Sequence, residues 1–204
     1  AAELRRRLSG TSVDRVECLW EPGMLVAARL REEFGVPGLT IAQTVPFRDK
    51  ETMKQVLDAA GIRVPHHARA HTVAEVEAAV ERIGYPAIIK PIAGAGSADT
   101  HRVNDRGEMK AVLEWTRHVP EVSVEEFIEG EEFTYDTICG GGKILFHNIC
   151  SYRPRPLIAR QLLWVSPQTV ALKDPDVPYL EPGRRLGEAV LKAMNFQAGF
   201  THME

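Results

Sequence analysis

Residues 85–103, YPAIIKPIAGAGSADTHRV, end a short apolar run on a lysine and follow it with a glycine-rich loop. Ala87-Ile88-Ile89 is too short for a surface helix, and Pro86 and Pro91 bracket it, so the stretch reads as a buried strand whose last residue is Lys90. A lysine is a poor choice for such a position unless it meets an anion. Gly94 and Gly96, with the small residues Ala93, Ala95 and Ser97 around them, let consecutive backbone N–H groups turn toward one point, as a chain does when it cradles phosphate oxygens. The plainer reading is a hairpin tip with Lys90 as an edge charge, and a short glycine pattern does not by itself choose between the two. The loop lacks the GxxxxGK[ST] order and does not open a helix, which argues against a Walker P-loop.

The 204 residues, 44% hydrophobic and 26% charged, describe a soluble globular chain of one or two domains with enough apolar residues for a core. The net charge of -3 and the lack of any basic run argue against an extended nucleic-acid surface, while nucleotides as small ligands stay open. Cys18, Cys139 and Cys150 are odd in number and lack CxxC spacing, which fits reduced thiols in a cytoplasmic protein. There is no signal peptide and no apolar run of about 20 residues, so no membrane partner is expected.

Along the chain, 16–20 (VECLW) reads as a strand and 22–34 as a helix closed by Gly35, a β-α unit. Asp49 caps a helix over 50–60 that presents Met53, Val56, Leu57 and Ala60 on one face, and Gly61 ends it. Thr72 and Glu75 form a capping box for the next amphipathic helix, which leads into the strand ending at Lys90. A strand near 101–103, a helix over 105–117 and two or three strands around the Gly140-Gly141-Gly142 turn follow. Residues to about 182 read as irregular, then a helix and a final extended segment close the chain. Interleaved antiparallel strands and single helices predict an α+β fold.

The ordered set DK..MK...AGI.VP, GYPAIIKP, the glycine-rich loop and VEEFIEGEEF resembles the ATP-grasp superfamily from about Asp49 to the last residue. The resemblance implies two α+β subdomains clasping ATP (49–123 and 124–204, the second incomplete), preceded at 1–48 by the tail of an α/β domain. It implies that Lys50 and Lys90 meet the nucleotide phosphates and that Gly94, Ala95, Gly96 and Ser97 form the loop over them. It further places adenine against Glu125, Glu126, Phe127 and Ile128, and the ribose hydroxyls on Glu132. A carboxylate suits the last role because it accepts from both hydroxyls.

Arg153, Arg155 and Arg160 lie in one proline-stiffened segment, and planar guanidinium forks there suit a phosphate or carboxylate. Resemblance puts a basic residue near the γ-phosphate without choosing among the three. His202 and Glu204 alternate onto one strand face. By resemblance Glu204 is the first magnesium carboxylate and His202 its neighbour. His66, His67, His71, His101, His118 and His147 show no ligand spacing and read as surface or capping residues.

The family's second metal carboxylate, in a Glu-x-Asn or similar strand, has no counterpart before the last residue, so the chain is expected to be a fragment or truncated piece. The implied activity is an ATP-dependent carboxylate–amine ligation through an acylphosphate, with ATP and Mg2+ as cofactors, small carboxylate and amine substrates as partners, and a homodimer left open. Two alternatives stand beside it: a non-catalytic nucleotide-binding module, and a biotin-carboxylase-like enzyme.

Overall fold

The computed structural model describes residues 2–94, 97–162 and 164–204, the side chains of Ala2, Arg160 and Gln161 excepted. After helix α1 (Ala2–Arg7) the chain runs without regular structure to Leu19. The strand expected over 16–20 does not form. No described strand lies beside it, and an unpaired strand leaves its backbone groups unsatisfied; Arg31 Nε donates to the Val16 carbonyl instead, at 2.8 Å.

Helix α2 (Met24–Phe34) follows a 3-10 turn and stops at Gly35, whose φ of 66° is the left-handed conformation that ends helices. Helix α3 (Ile41–Arg48), absent from the sequence reading, starts on a capping box between Thr40 and Gln43. Helix α4 (Lys50–Ala59) starts on Asp49, whose carboxylate accepts the Thr52 N–H at 2.8 Å. Its buried stripe is Glu51, Lys54 and Leu57, while Ala60, expected inside, is exposed. Two charged residues face inward because a polar surface lies opposite.

That surface belongs to a sheet built from β1 (His67–Ala70), β2 (Ala87–Pro91), β3 (His101–Val103) and β4 (Val122–Glu126), in the order β1-β4-β2-β3 and antiparallel throughout. Between them run α5 (Val73–Ile83), with the anticipated Thr72–Glu75 capping box, and α6 (Arg106–Trp115), capped by Asp105. These two helices bury one sheet face in a core of Val76, Val80, Ala87, Ile89, Val103, Met109, Val112 and Val124.

A second sheet, order β7-β6-β5-β8 and also antiparallel, comprises β5 (Phe133–Gly140), β6 (Lys143–Arg153), β7 (Gln168–Ala171) and β8 (Gly199–Met203). Gly141 and Gly142, both with positive φ, make the expected hairpin turn. The segment expected to be irregular contains α7 (Pro156–Gln161) and β7, and β7 gains order by pairing with the end of β6. The sheets part at 127–132, so β4, through which the boundary at 124 runs, lies whole in the first sheet.

Helix α8 (Glu181–Ala193) packs on the second sheet through Gly187, where a Cβ would overlap the Tyr135 ring. Phe47 of α3 meets Phe196 edge-on, with ring centroids 5.5 Å apart. Gly187→Ala should therefore lower stability by about 1–3 kcal/mol, the usual cost of overpacking. A urea unfolding curve superimposable on that of the unsubstituted protein would contradict this packing.

Candidate functional site

In β2 the pleat sends Ala87 and Ile89 into the apolar core and Ile88 and Lys90 to the opposite face. Lys90 stands across from Ser123 of β4, and Ile88 across from Glu125, which puts Lys90, Ser123 and Glu125 on one face. His67 of β1, in register with Glu125, joins them. Helix α4 covers this face with polar groups. Ser123 Oγ donates to Glu51 Oε1 at 2.6 Å, and Glu51 Oε2 lies 2.7 Å from His67 Nδ1, whose other nitrogen reaches Asp58 at 3.1 Å. His67 is thus part of the buried framework, not the surface or capping residue expected; its alternation with Arg69 along β1 was the available signal.

Glu125 is the centre of the cluster. Its Oε1 accepts from Lys54 Nζ at 2.6 Å and its Oε2 from Lys90 Nζ at 2.8 Å. Only 4% of Glu125 and 4% of Lys54 is exposed, against 23% of the Lys90 side chain. Burial pushes the Glu125 carboxyl up, yet the Lys90 and Lys54 ammoniums outweigh it and hold it below its ordinary range.

Lys50 and Arg48 grip the start of the glycine-rich loop. Lys50 Nζ donates to the carbonyls of Ile92 (3.2 Å) and Gly94 (2.7 Å), and Arg48 Nη2 to that of Ala93 (2.8 Å). Burial, then repulsion from Lys90 and Arg48, lowers the Lys50 ammonium to about 8. Ser97 adopts a left-handed φ of 56°. Ala95 and Gly96 lie outside the described residues.

At the junction of the sheets, Glu126 turns away from the lysines and pairs with Arg63 at 2.8 Å, while accepting the His66 N–H at 3.0 Å. Phe127 donates its N–H to Pro86 and carries the Arg102 guanidinium 4.1 Å above its ring, a cation–π contact. Ile128 is exposed. Of the expected adenine set, then, Glu125 faces the cations and Glu126 the other side of the strand.

The second sheet brings carboxylates toward the same place. Glu132, just before β5, is pushed up by burial and by Glu204, against the opposing pull of Arg155 and Lys90. Glu204 is held down by His202, with Tyr152 and Lys90 adding to that effect against burial. Lys90 of the first sheet therefore acts electrostatically on both carboxylates of the second. His202 sits between Asp136 (Nδ1 to Oδ1, 2.6 Å) and Glu204 (3.7 Å), and its pKa rises to about 9 through Glu204 first and Asp136 after it. Tyr152 Oη donates to Glu204 at 2.9 Å.

Arg155 is the residue that precedes α7, whereas Arg153 is exposed at the end of β6. The side chain of Arg160 lies outside the described residues. Sequence reading missed Glu51, Lys54, Ser123, Asp136 and Tyr152. Lys54 was recoverable from its place four residues after Lys50, on the same helix face.

Among the described residues no three His, Cys, Asp or Glu side chains converge as a metal cage. All three cysteines are free, Cys139 and Cys150 buried and Cys18 part-exposed. Among the described residues no helix is long and apolar enough to cross a membrane.

The Lys50 shift has a defined sign. With a folded pKa of about 8 against 10.5 when unperturbed, the folded chain releases this proton first, so the group adds stability as pH rises from about 8 to 10.5 and loses it as pH falls back. The stability difference between Lys50→Met and the unsubstituted protein should therefore shift in favour of the latter across that window. Denaturation curves at pH 7.5, 9 and 10.5 giving one constant difference would contradict the buried ammonium.

The structure thus holds two antiparallel sheets, one carrying the lysine–Glu125 cluster and the other the group of Asp136, Tyr152, His202 and Glu204. The model of the ATP-grasp domain matches residues 47–153, just over half of the chain. The chain belongs to the ATP-grasp family, as its motifs implied. It is 29% identical over 146 residues to an L-arginine-specific L-amino acid ligase of Bacillus subtilis, covering 68% of this chain and 35% of that protein. It is 32% identical over 114 residues to a D-alanine–D-alanine ligase of Neisseria meningitidis, covering 54% of this chain and 38% of the relative. The crystal structure of an L-amino acid ligase from Bacillus licheniformis shares the fold with a TM-score of 0.77 at 23% identity, over 98% of this chain and 46% of that one. The chain thus spans about a third of the length of the curated relatives it matches.

Proposed function

We propose that this chain is the nucleotide-clasping part of an ATP-dependent ligase that joins a carboxylate to an amine, with substrates of the amino-acid class. The observation that carries the proposal is the pairing of Lys90 with Glu125 at the end of β2, beside Lys50, which donates to the Ile92 and Gly94 carbonyls at the entry of the glycine-rich loop. The names of the ligase relatives support the reaction class.

In this reading Lys90 and Lys50 bind and orient the phosphates, and the 126–128 connection lies along the adenine. Glu132 accepts from the ribose hydroxyls, and Arg155, whose charge already acts on Glu132, stands ready for the γ-phosphate or the acyl substrate. Mg2+ fits as it does with nucleotides generally, through one or two carboxylates and phosphate oxygens rather than an all-protein cage. Glu204, kept ionised by His202 and Tyr152, would hold it, and the ion would neutralise charge on the phosphates. The γ-phosphoryl group passes to a carboxylate oxygen and ADP leaves. The amine nitrogen then attacks the acyl carbon, the bond to phosphate breaks, and the amine gives up a proton. Fixed cations aimed at the transferring group stabilise its charge where it develops.

The test is titration calorimetry with a non-hydrolysable ATP analogue and Mg2+. Binding is expected, and Lys90→Ala should weaken it by about 1.5–3 kcal/mol, the worth of a charged hydrogen bond. Equal affinity of that variant would remove the phosphate assignment. Glu132→Ala should narrow the preference for ATP over 2'-deoxy-ATP, and an unaltered preference would remove the ribose assignment. ADP release that requires both an amino acid and an amine supports the ligase. Nucleotide binding with no release for any pair would instead leave a non-catalytic module.

A further inference from the structure

One buried cation has no part in the reaction just described. Lys54 lies one helical turn after Lys50, is 4% exposed, and spends its ammonium on Glu125 Oε1 at 2.6 Å. Stability alone does not call for a charged pair here, since replacing both members of a buried ion pair by well-packed apolar residues is often neutral or favourable. What an apolar residue cannot do is occupy one oxygen of Glu125.

We propose that Lys54 is a positioning residue that sets the phosphate-binding competence of Lys90 through the shared Glu125 carboxylate; this rests on the nucleotide-binding reading above. With Oε1 taken by Lys54, Glu125 offers Lys90 only Oε2, at 2.8 Å. Lys90 is then fixed in place while most of its three donors stay available to an incoming anion. Lys54 also balances the Glu125 charge, so Lys90 and Lys50 keep their full pull on a phosphate. Remove it, and both Glu125 oxygens close on Lys90, competing with the phosphate for the same ammonium.

A second route to the same end runs along the face. Glu51, which neighbours Lys54 on α4, is held by Ser123 and His67, and Ser123 stands opposite Lys90 in the sheet. The helix is thereby keyed to the strand pair at two points, and Lys54 is delivered to Glu125 at a fixed height. Sequence and structure agree here, because Lys50 and Lys54, four residues apart, share a helix face.

The experiment compares a phosphate-bearing ligand with one that has none. Affinities for a non-hydrolysable ATP analogue and for adenosine are measured on the unsubstituted protein, on Lys54→Met, on Lys54→Gln and on Lys54→Met combined with Lys90→Met. The expected result is a loss of about tenfold for the ATP analogue in Lys54→Met, with adenosine affinity kept within about twofold and no further loss when it is added to Lys90→Met. Lys54→Gln, which retains a donor to Glu125 without the charge, should fall between. Equal losses for both ligands, or full additivity with Lys90→Met, would make Lys54 a structural residue and overturn the proposal, as would failure of both single variants to fold. If the unsubstituted protein binds no ATP analogue, it is the nucleotide reading that fails. If it binds the analogue and Lys54→Met binds it equally well, only the present inference does.

Discussion

The Glu125 carboxylate, shared between Lys54 and Lys90, is the interaction on which the rest of the arrangement depends. A carboxylate buried at the interface between helix α4 and a sheet is costly unless ionised partners meet it, and here two do. Because both partners are fixed by regular structure, one on a helix and one at a strand end, the carboxylate converts backbone geometry into the position of a cation. Removing either partner from such a buried pair typically costs about 3–5 kcal/mol. The cluster therefore resists drift in a way that surface pairs such as Arg6–Glu3 do not.

The first sheet is two-faced for the same reason. Toward α5 and α6 it presents Ala87, Ile89, Val103 and Val124, and this side supplies the apolar burial that stabilises the lobe. Toward α4 it presents Ser123, Glu125, His67 and Lys90, all held by side-chain contacts. An alternating strand lets one sequence serve both purposes, since successive side chains point to opposite faces. The cluster opens where β2 ends and the glycine-rich loop begins, so a cation fixed by the core is delivered to the loop entry.

The second sheet supplies the opposite sign. Glu132 lies just before β5, and Tyr152 and His202, the latter itself paired with Asp136, hold Glu204. Within the second sheet Asp136, Tyr152 and His202 lie on strands, which carry less positional freedom than loops. Helix α8 seats closely on β5 at Gly187, against the Tyr135 ring.

Much of this was legible in the residues alone. The strand ending at Lys90, the caps at Asp49, Thr72 and Asp105, the glycine hairpin turn and the alternation of His202 with Glu204 are local features, set by propensity, capping chemistry and pleat. Four ordered motifs then carried the family. The strand expected over 16–20 failed because a strand exists only with a partner, and no local signal reports one. Helix α4 was read with its apolar side inward; the structure turned Glu51 and Lys54 inward because Ser123, Glu125 and His67, distant in sequence, had already made the opposing surface polar. Sequence by itself determined the elements that carry strong caps or pleat alternation, among them the strand near whose end stands Lys90. Only the tertiary structure decided which carboxylate holds it, because the choice between Glu125 and Glu126 rests on strand register, a pairing between segments more than 30 residues apart.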